Sequence, residues 1–261
     1  MTTAQETGSG SGRPVALVTG VGRTVGIGAG IARELAGAGW DIAFTYWTPY
    51  DARMAWGVEA DAAGTISEVL AEQGARTVAV EADLADPGAP GRVFDEVERR
   101  LGGVTALVMS HCESVDSGLL DTTLESFDRH FAVNARATWL LIREYGRRFR
   151  GAAGTGRVIG LTSDHTVGNL PYGASKGALD RIVLAAAHEL GHLGITANVI
   201  NPGPVDTGWM SDGIREHVLD RTPPGRLGTP QDAAHLVGFL CSPQGQWING
   251  QLLKSDGGFT A

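Results

Sequence analysis

The sequence predicts an α/β fold, a doubly wound parallel sheet in three α/β/α layers and a single domain. Three observations predict it. Short continuous apolar runs recur along the chain, as in parallel strands covered on both faces. A helical pattern separates each run from the next, and such β-α-β alternation implies right-handed crossovers with helices on both sides of the sheet. The 261 residues, 43% of them hydrophobic, can build a large core, and no repeat or Pro-, Gly- or Ser-rich linker divides them.

The elements follow in order. Residues 15–19 (VALVT) are the first strand, and a helix over 29–38 ends at Gly39. Residues 41–46 (DIAFTY) are the second strand, a helix over 62–73 stops at Gly74, and 77–80 (TVAV) is the third strand. A helix over 90–100 leads to the fourth strand at 106–109, and a long helix in two pieces spans 124–150. The fifth strand is 157–161, followed by a long helix over 172–191 and a sixth strand at 196–200. A helix over 231–240 and a last strand at 251–254 complete the chain.

Composition narrows the function classes. Lys plus Arg total 21 against 29 Asp plus Glu, a net charge of −8, so no basic patch is available to neutralise nucleic-acid phosphates. Two cysteines, Cys112 and Cys241, do not make a disulfide scaffold and fit a reducing compartment. No apolar run approaches the roughly 20 residues that span a bilayer. The first residues are rich in Gly, Ser and Thr and lack the apolar segment of a secretion signal, so 1–13 is expected to be a flexible tail and the protein cytoplasmic.

In an open parallel sheet, ligands sit beyond the carboxyl ends of the strands, so the loops there carry the chemistry. After the first strand come Gly20, Gly22, Arg23, Gly26, Ile27 and Gly28, and then a helix. Glycines let a backbone approach a pyrophosphate, and the helix start offers free N–H groups; a tight strand-to-helix turn is the plainer alternative. Tyr172 and Lys176, at i and i+4, share one helix face. An ammonium beside a phenol favours the phenolate and is expected to lower its pKa into acid/base range. Taken alone, the pair is equally a surface contact. Yet Ser163 follows the fifth strand and Pro202, Gly203, Val205 and Thr207 follow the sixth, so three features fall on three ligand-facing edges.

With those motifs, and with Asp83-Leu84, Asn134 in Val-Asn-Ala and the closing Asp256-Gly-Gly-Phe259, the chain resembles the short-chain dehydrogenases/reductases of the compact, 3-oxoacyl-carrier-protein reductase-like kind, over residues 14–261. The resemblance implies a Rossmann-type dinucleotide-binding domain. It implies that Tyr172 exchanges a proton with a carbonyl or alcohol, that Ser163 hydrogen-bonds the reacting oxygen, and that Lys176 holds the nicotinamide ribose. Asn134 would hold a relay water, or else cap or kink its helix. Asp83, with Leu84, would contact adenine, or else cap a turn. Val205 and Thr207 would anchor the carboxamide. A homotetramer, or a dimer, is implied too, with Ala185-Ala-Ala187 permitting close helix approach.

Several features depart from the family pattern. The glycine loop is long and resembles that of enoyl reductases, whereas the Tyr172–Lys176 spacing favours carbonyl chemistry. Met109-Ser110-His111-Cys112 stands where the family commonly has Asn-Asn-Ala-Gly, and the segment between Ser163 and Tyr172 is short. The second strand ends in Tyr46-Trp47 with no acid before Asp51, and Arg23 and Arg53 lie within reach. A guanidinium matches a 2′-phosphate, so NADP(H) is preferred, with NAD(H) the alternative. An insertion at 47–61, carrying Trp47, Tyr50 and Trp56, is expected to cover the adenosine end or to pack on a neighbouring helix, and 208–226 to form a lid. The resulting expectation is ketone–alcohol interconversion on a small molecule, without nucleic-acid or membrane partners. The alternatives are an enoyl reductase and a nucleotide-sensing regulator that does not turn over. No metal-ligand cluster is expected.

Overall fold

A computed structural model describes residues 12–261. Most of the predicted 1–13 tail lies outside the described residues, but Arg13 does not hang free. Its guanidinium donates to the carbonyls of Gly74, Ala36 and Trp40.

Seven parallel strands form one sheet: β1 (Val15–Thr19), β2 (Asp41–Tyr46), β3 (Thr77–Glu81), β4 (Val104–Met109), β5 (Gly156–Leu161), β6 (Ile195–Asn201) and β7 (Leu252–Lys254). Their spatial order is β3-β2-β1-β4-β5-β6-β7. The chain therefore winds outward one way from β1 and resumes at β4, which opens a crevice between β1 and β4 at the carboxyl edge.

Side-chain alternation along the strands splits the core in two. Leu17, Leu107 and Val158 face one side, where they meet Val93 and Phe94 of α4 (Ala89–Leu101), Leu141 of α6 (Ala137–Arg148) and Leu179 and Val183 of α7 (Leu170–Glu189). Ala16, Val18, Val108 and Ile159 face the other, against Ile31 and Leu35 of α1 (Ile27–Gly37), Ile66 and Leu70 of α3 (Ala62–Glu72) and Val237 of α9 (Pro230–Cys241). Both faces of the sheet are covered, which is why the strand sequences read as unbroken apolar runs. Tyr145 shows how a polar group is paired inside the core. The Tyr145 hydroxyl donates to the Thr105 carbonyl at 2.6 Å and accepts from the Arg157 amide at 3.1 Å.

The predicted 124–150 helix does break, and the break is a π-turn. α5 (Leu124–His130) runs into a π segment, Phe131–Arg136, before α6 begins. α7 starts two residues earlier than expected because Pro171 sits in its first turn, where a missing N–H costs nothing. Two helices were not foreseen, α2 (Thr48–Ala52) in the insertion and α8 (Asp212–Arg221) in the lid region. α8 had a readable start, since the Ser211 hydroxyl accepts from the Ile214 amide and Asp212 fills the first turn. Its mixture of acidic, basic and apolar residues hid the period.

Candidate active site

β1 ends in the glycine loop. Gly20 has φ +76°, and a Cβ there would lie within 3 Å of the His111 backbone. A Cβ on Gly28 would lie 2.8 Å from the Gly20 carbonyl. The loop is thus folded against β4's exit with no room for side chains. Gly26 caps α1 without any side-chain hydrogen bond, so the first N–H groups of that helix, from Ile27 onward, remain for an anion. These features fit a dinucleotide pyrophosphate.

α7 carries Tyr172 and Lys176 to the neighbouring edge. The Lys176 ammonium is 5.7 Å from the Tyr172 ring centroid and donates to the Leu161 carbonyl at 2.8 Å, with the His111 carbonyl at 3.5 Å. Burial lowers its pKa from the usual lysine value. Burial likewise raises the Tyr172 phenol above its usual value, Cys112 adds to the shift, and the Ser163 hydroxyl beside the phenol opposes it. The expectation that Lys176 would lower the phenol's pKa is therefore corrected. Desolvation dominates, and the N–H groups of the ammonium are turned to backbone carbonyls.

Asn134 lies inside the π-turn and is fully buried. Its Oδ1 accepts from the Glu113 amide at 2.7 Å, and its Nδ2 donates to the Glu113 carbonyl and the Ser175 hydroxyl, each at 2.9 Å. Ser175 in turn donates to the Tyr172 carbonyl. The side chain fixes the β4 exit loop to α7, and its amide is committed to those partners. Sequence reasoning missed Ser175, although its place one residue before Lys176 was a usable signal.

Other expected residues are placed as follows. The Asp83 carboxylate accepts two 3.1 Å bonds from Arg129 and one from the Ala85 amide. Leu84 is in the core. Tyr46 and Trp47 are half-buried at the end of β2. Pro202 is buried, and Gly203 has φ +64° with Asp256 packed where a side chain would go. Val205 and Thr207 are buried beyond β6. Arg23 reaches across to Thr207, donating to its carbonyl at 2.9 Å and to its hydroxyl at 3.4 Å. His111 is not at a substrate surface: it is buried, with Nδ1 2.6 Å from the Thr19 hydroxyl and Nε2 3.0 Å from the Val133 carbonyl. Burial raises the Cys112 thiol, which suits packing rather than nucleophilic attack. Among the described residues no His, Cys, Asp and Glu cluster suits a metal, and no helix is long and apolar enough to cross a membrane.

Residues 20–260 match the protein family described as enoyl-(acyl carrier protein) reductase. The oxidoreductase YjdA of Bacillus subtilis, itself uncharacterised, is 37% identical over 250 residues, 94% of this chain and 96% of that one. The chain is a short-chain dehydrogenase/reductase. Among solved structures of the family, a short-chain dehydrogenase from Burkholderia cenocepacia J2315 in complex with NADP superposes with a TM-score of 0.84 at 34% identity, covering 95% of this chain and 98% of that one. The angucycline C-6 ketoreductase LanV with bound NADP superposes at 0.83 and 30% identity, covering 94% and 95%.

In this dehydrogenase/reductase the 47–61 segment forms a strap. Its Asp51 is buried against Gly22 and accepts from the Trp56 indole at 2.8 Å. The Arg23 guanidinium lies 4.4 Å from the Trp56 ring centroid and 4.0 Å from Asp51. Arg53 pairs with Glu113 at 2.5 Å, although that carboxylate is only 3% exposed. Both guanidiniums expected at a 2′-phosphate thus have protein partners.

Proposed function

We propose that the protein is an NADP(H)-dependent oxidoreductase that interconverts a ketone and a secondary alcohol, with NAD(H) the alternative cofactor. The observation that carries this reading is the placement of Tyr172, Lys176 and Ser163 on adjoining strand edges beside an uncapped glycine-loop helix. The NADP-bound relatives support the choice of cofactor, as does the Arg23 guanidinium in the glycine loop.

A bound NADPH would supply the hydride. The glycine loop and the start of α1 would hold its pyrophosphate, and Val205 and Thr207 would face its carboxamide end. With its pKa raised, Tyr172 is a phenol at neutral pH and gives its proton to the carbonyl oxygen. Ser163 donates a hydrogen bond to that same oxygen as negative charge develops on it. Lys176 stabilises the phenolate left behind, and Asn134 with Ser175 keeps α7 in register with the β4 exit loop. Hydride and proton together convert C=O to CH–OH. In the reverse direction the phenolate accepts the alcohol's proton.

The two cysteines are unpaired, which supports a reducing, cytoplasmic setting. We further propose a homotetramer, or at least a dimer. α5 and α6 present Leu124, Phe127 and Trp139 to solvent, and Trp139 lines a cavity of about 520 Å³. Within the alanine run on α7, Ala186 and Ala187 pack in their own subunit's core and only Ala185 faces out, so the contact rests on α5 and α6 more than on those alanines.

Absorbance at the NADPH band with a panel of ketones tests the reading. Turnover of ketones and none of enoyl thioesters is expected. Reduction of enoyl thioesters alone would make it an enoyl reductase, and cofactor binding with no turnover would make it a nucleotide sensor. NADPH should bind more tightly than NADH in titration. Equal affinities would move the discriminating role to Asp51.

A further inference from the structure

The ligand crevice of this sheet opens where strand order reverses, between β1 and β4. The strap formed by residues 48–61 lies across it and is fastened to both rims. On the β1 rim, the Glu59 carboxylate accepts from the Thr24 amide at 2.9 Å and from its hydroxyl at 2.7 Å. Trp56 stacks on Arg23, and Asp51 is buried against Gly22. On the β4 rim, Arg53 pairs with the buried Glu113, and the Tyr50 hydroxyl lies 3.4 Å from the Ser114 carbonyl.

The groups that the strap's acids satisfy are of one kind. A glycine-loop amide, a neighbouring hydroxyl and a guanidinium are the donors that phosphate oxygens would take. Glu59 and Asp51 bring carboxylates to the same loop. Arg23, held by Trp56 on one side, also bridges the glycine loop to Thr207 beyond β6. The contacts therefore close the path that runs from the end of β2 past the start of α1.

We propose that the strap is a built-in stand-in for the dinucleotide: it occupies the cofactor's crevice through Glu59, Asp51 and Arg53 and must lift for the cofactor to seat. This rests on the oxidoreductase reading and adds a regulatory step to it. Only molecules with the strap lifted are competent to bind, so the apparent affinity is reduced by the lifted fraction. The phosphates then replace the carboxylates at Thr24 and Arg23, and Glu113 keeps Arg129 as its remaining cation, 3.5 Å away.

The test is calorimetric titration of NADPH into the wild type and into the unlatched variant Glu59→Gln, which leaves the guanidinium of Arg53 in place. Removing charge-assisted bonds that hold the strap down should tighten binding roughly tenfold. A second measurement needs no variant. Arg53 is the only Lys or Arg between Trp47 and Asp61, so trypsin reports on the strap alone at that position. Saturating NADPH should speed wild-type cleavage after Arg53. Equal or weaker NADPH binding by the variant, or slower cleavage of the wild type with NADPH bound, would overturn the proposal and make the strap a cover that closes on the cofactor. If neither protein binds NADPH or NADH, the oxidoreductase reading falls and this proposal with it.

Discussion

In the proposed reaction Tyr172 concentrates the chemistry in one oxygen atom, and its replacement isolates that atom. Tyr172→Phe keeps the ring on α7 and removes the proton. A loss of roughly 10²–10⁴-fold in turnover is expected, with cofactor affinity nearly unchanged, read from steady-state rates and a binding titration. His111 offers a different measurement. The Val133 carbonyl can only accept, so Nε2 carries the hydrogen and Nδ1 accepts from Thr19, and the neutral ring satisfies both partners. Burial, aided by Lys176, lowers its pKa from 6.5 to about 3. The unfolded chain therefore binds one more proton than the folded one between those values. This contribution to stability is fully present above pH 6.5 and is lost as pH falls towards 3, at about 1.4 kcal/mol per pH unit. In His111→Asn, denaturant titrations over that range should show a shallower fall. The sequence made Tyr172, Lys176 and Ser163 legible because their spacing is local. The fates of His111, Asp83 and Arg23 were not legible, because their partners Val133, Arg129 and Thr207 are distant in the chain.

Turns and caps decide more than the regular elements do. Gly28 illustrates this, since an added methyl would meet the Gly20 carbonyl at 2.8 Å and the Val21 side chain at 3.0 Å. Backbone cannot yield as a flexible side chain does. Gly28→Ala should cost about 1–3 kcal/mol in urea unfolding and weaken NADPH binding in the same protein. The strands and major helices were legible because a two-sided sheet writes itself as apolar runs separated by helical periods. α2 was not, because five residues are too short to show a period, and the strap is held by side-chain bonds to Thr24 and Glu113 that leave no local pattern. The π-turn was foreseen only as a break. Its extra residue lets Asn134 point at Glu113 and Ser175 while the flanking helices keep their apolar faces inward.

For the molecule as a whole, association is the property that composition leaves open. Leu124, Phe127 and Trp139 are exposed on α5 and α6, and at the other edge Trp247 is exposed together with Leu252 of the edge strand β7. Light scattering at micromolar concentration is expected to give a dimer or tetramer mass. Trp139→Glu, which sets a charge in the α6 face, should shift that mass downward while leaving the circular dichroism spectrum intact. A monomeric wild type would contradict the assignment of both faces.

The bridge from Arg23 to Thr207 joins residues 184 positions apart, and α1 buries Gly30 directly against Pro230. During synthesis both partners of α1 emerge long after α1 itself, so the ribosome must deliver nearly the entire chain before the nucleotide loop can take its shape. Until then, Ile31 and Leu35 lack the α9 half of their cover. The nascent chain carries an open apolar seam through most of its translation. The position of α9 thus predicts that slowing translation after about residue 200 lengthens the interval in which aggregation competes with folding.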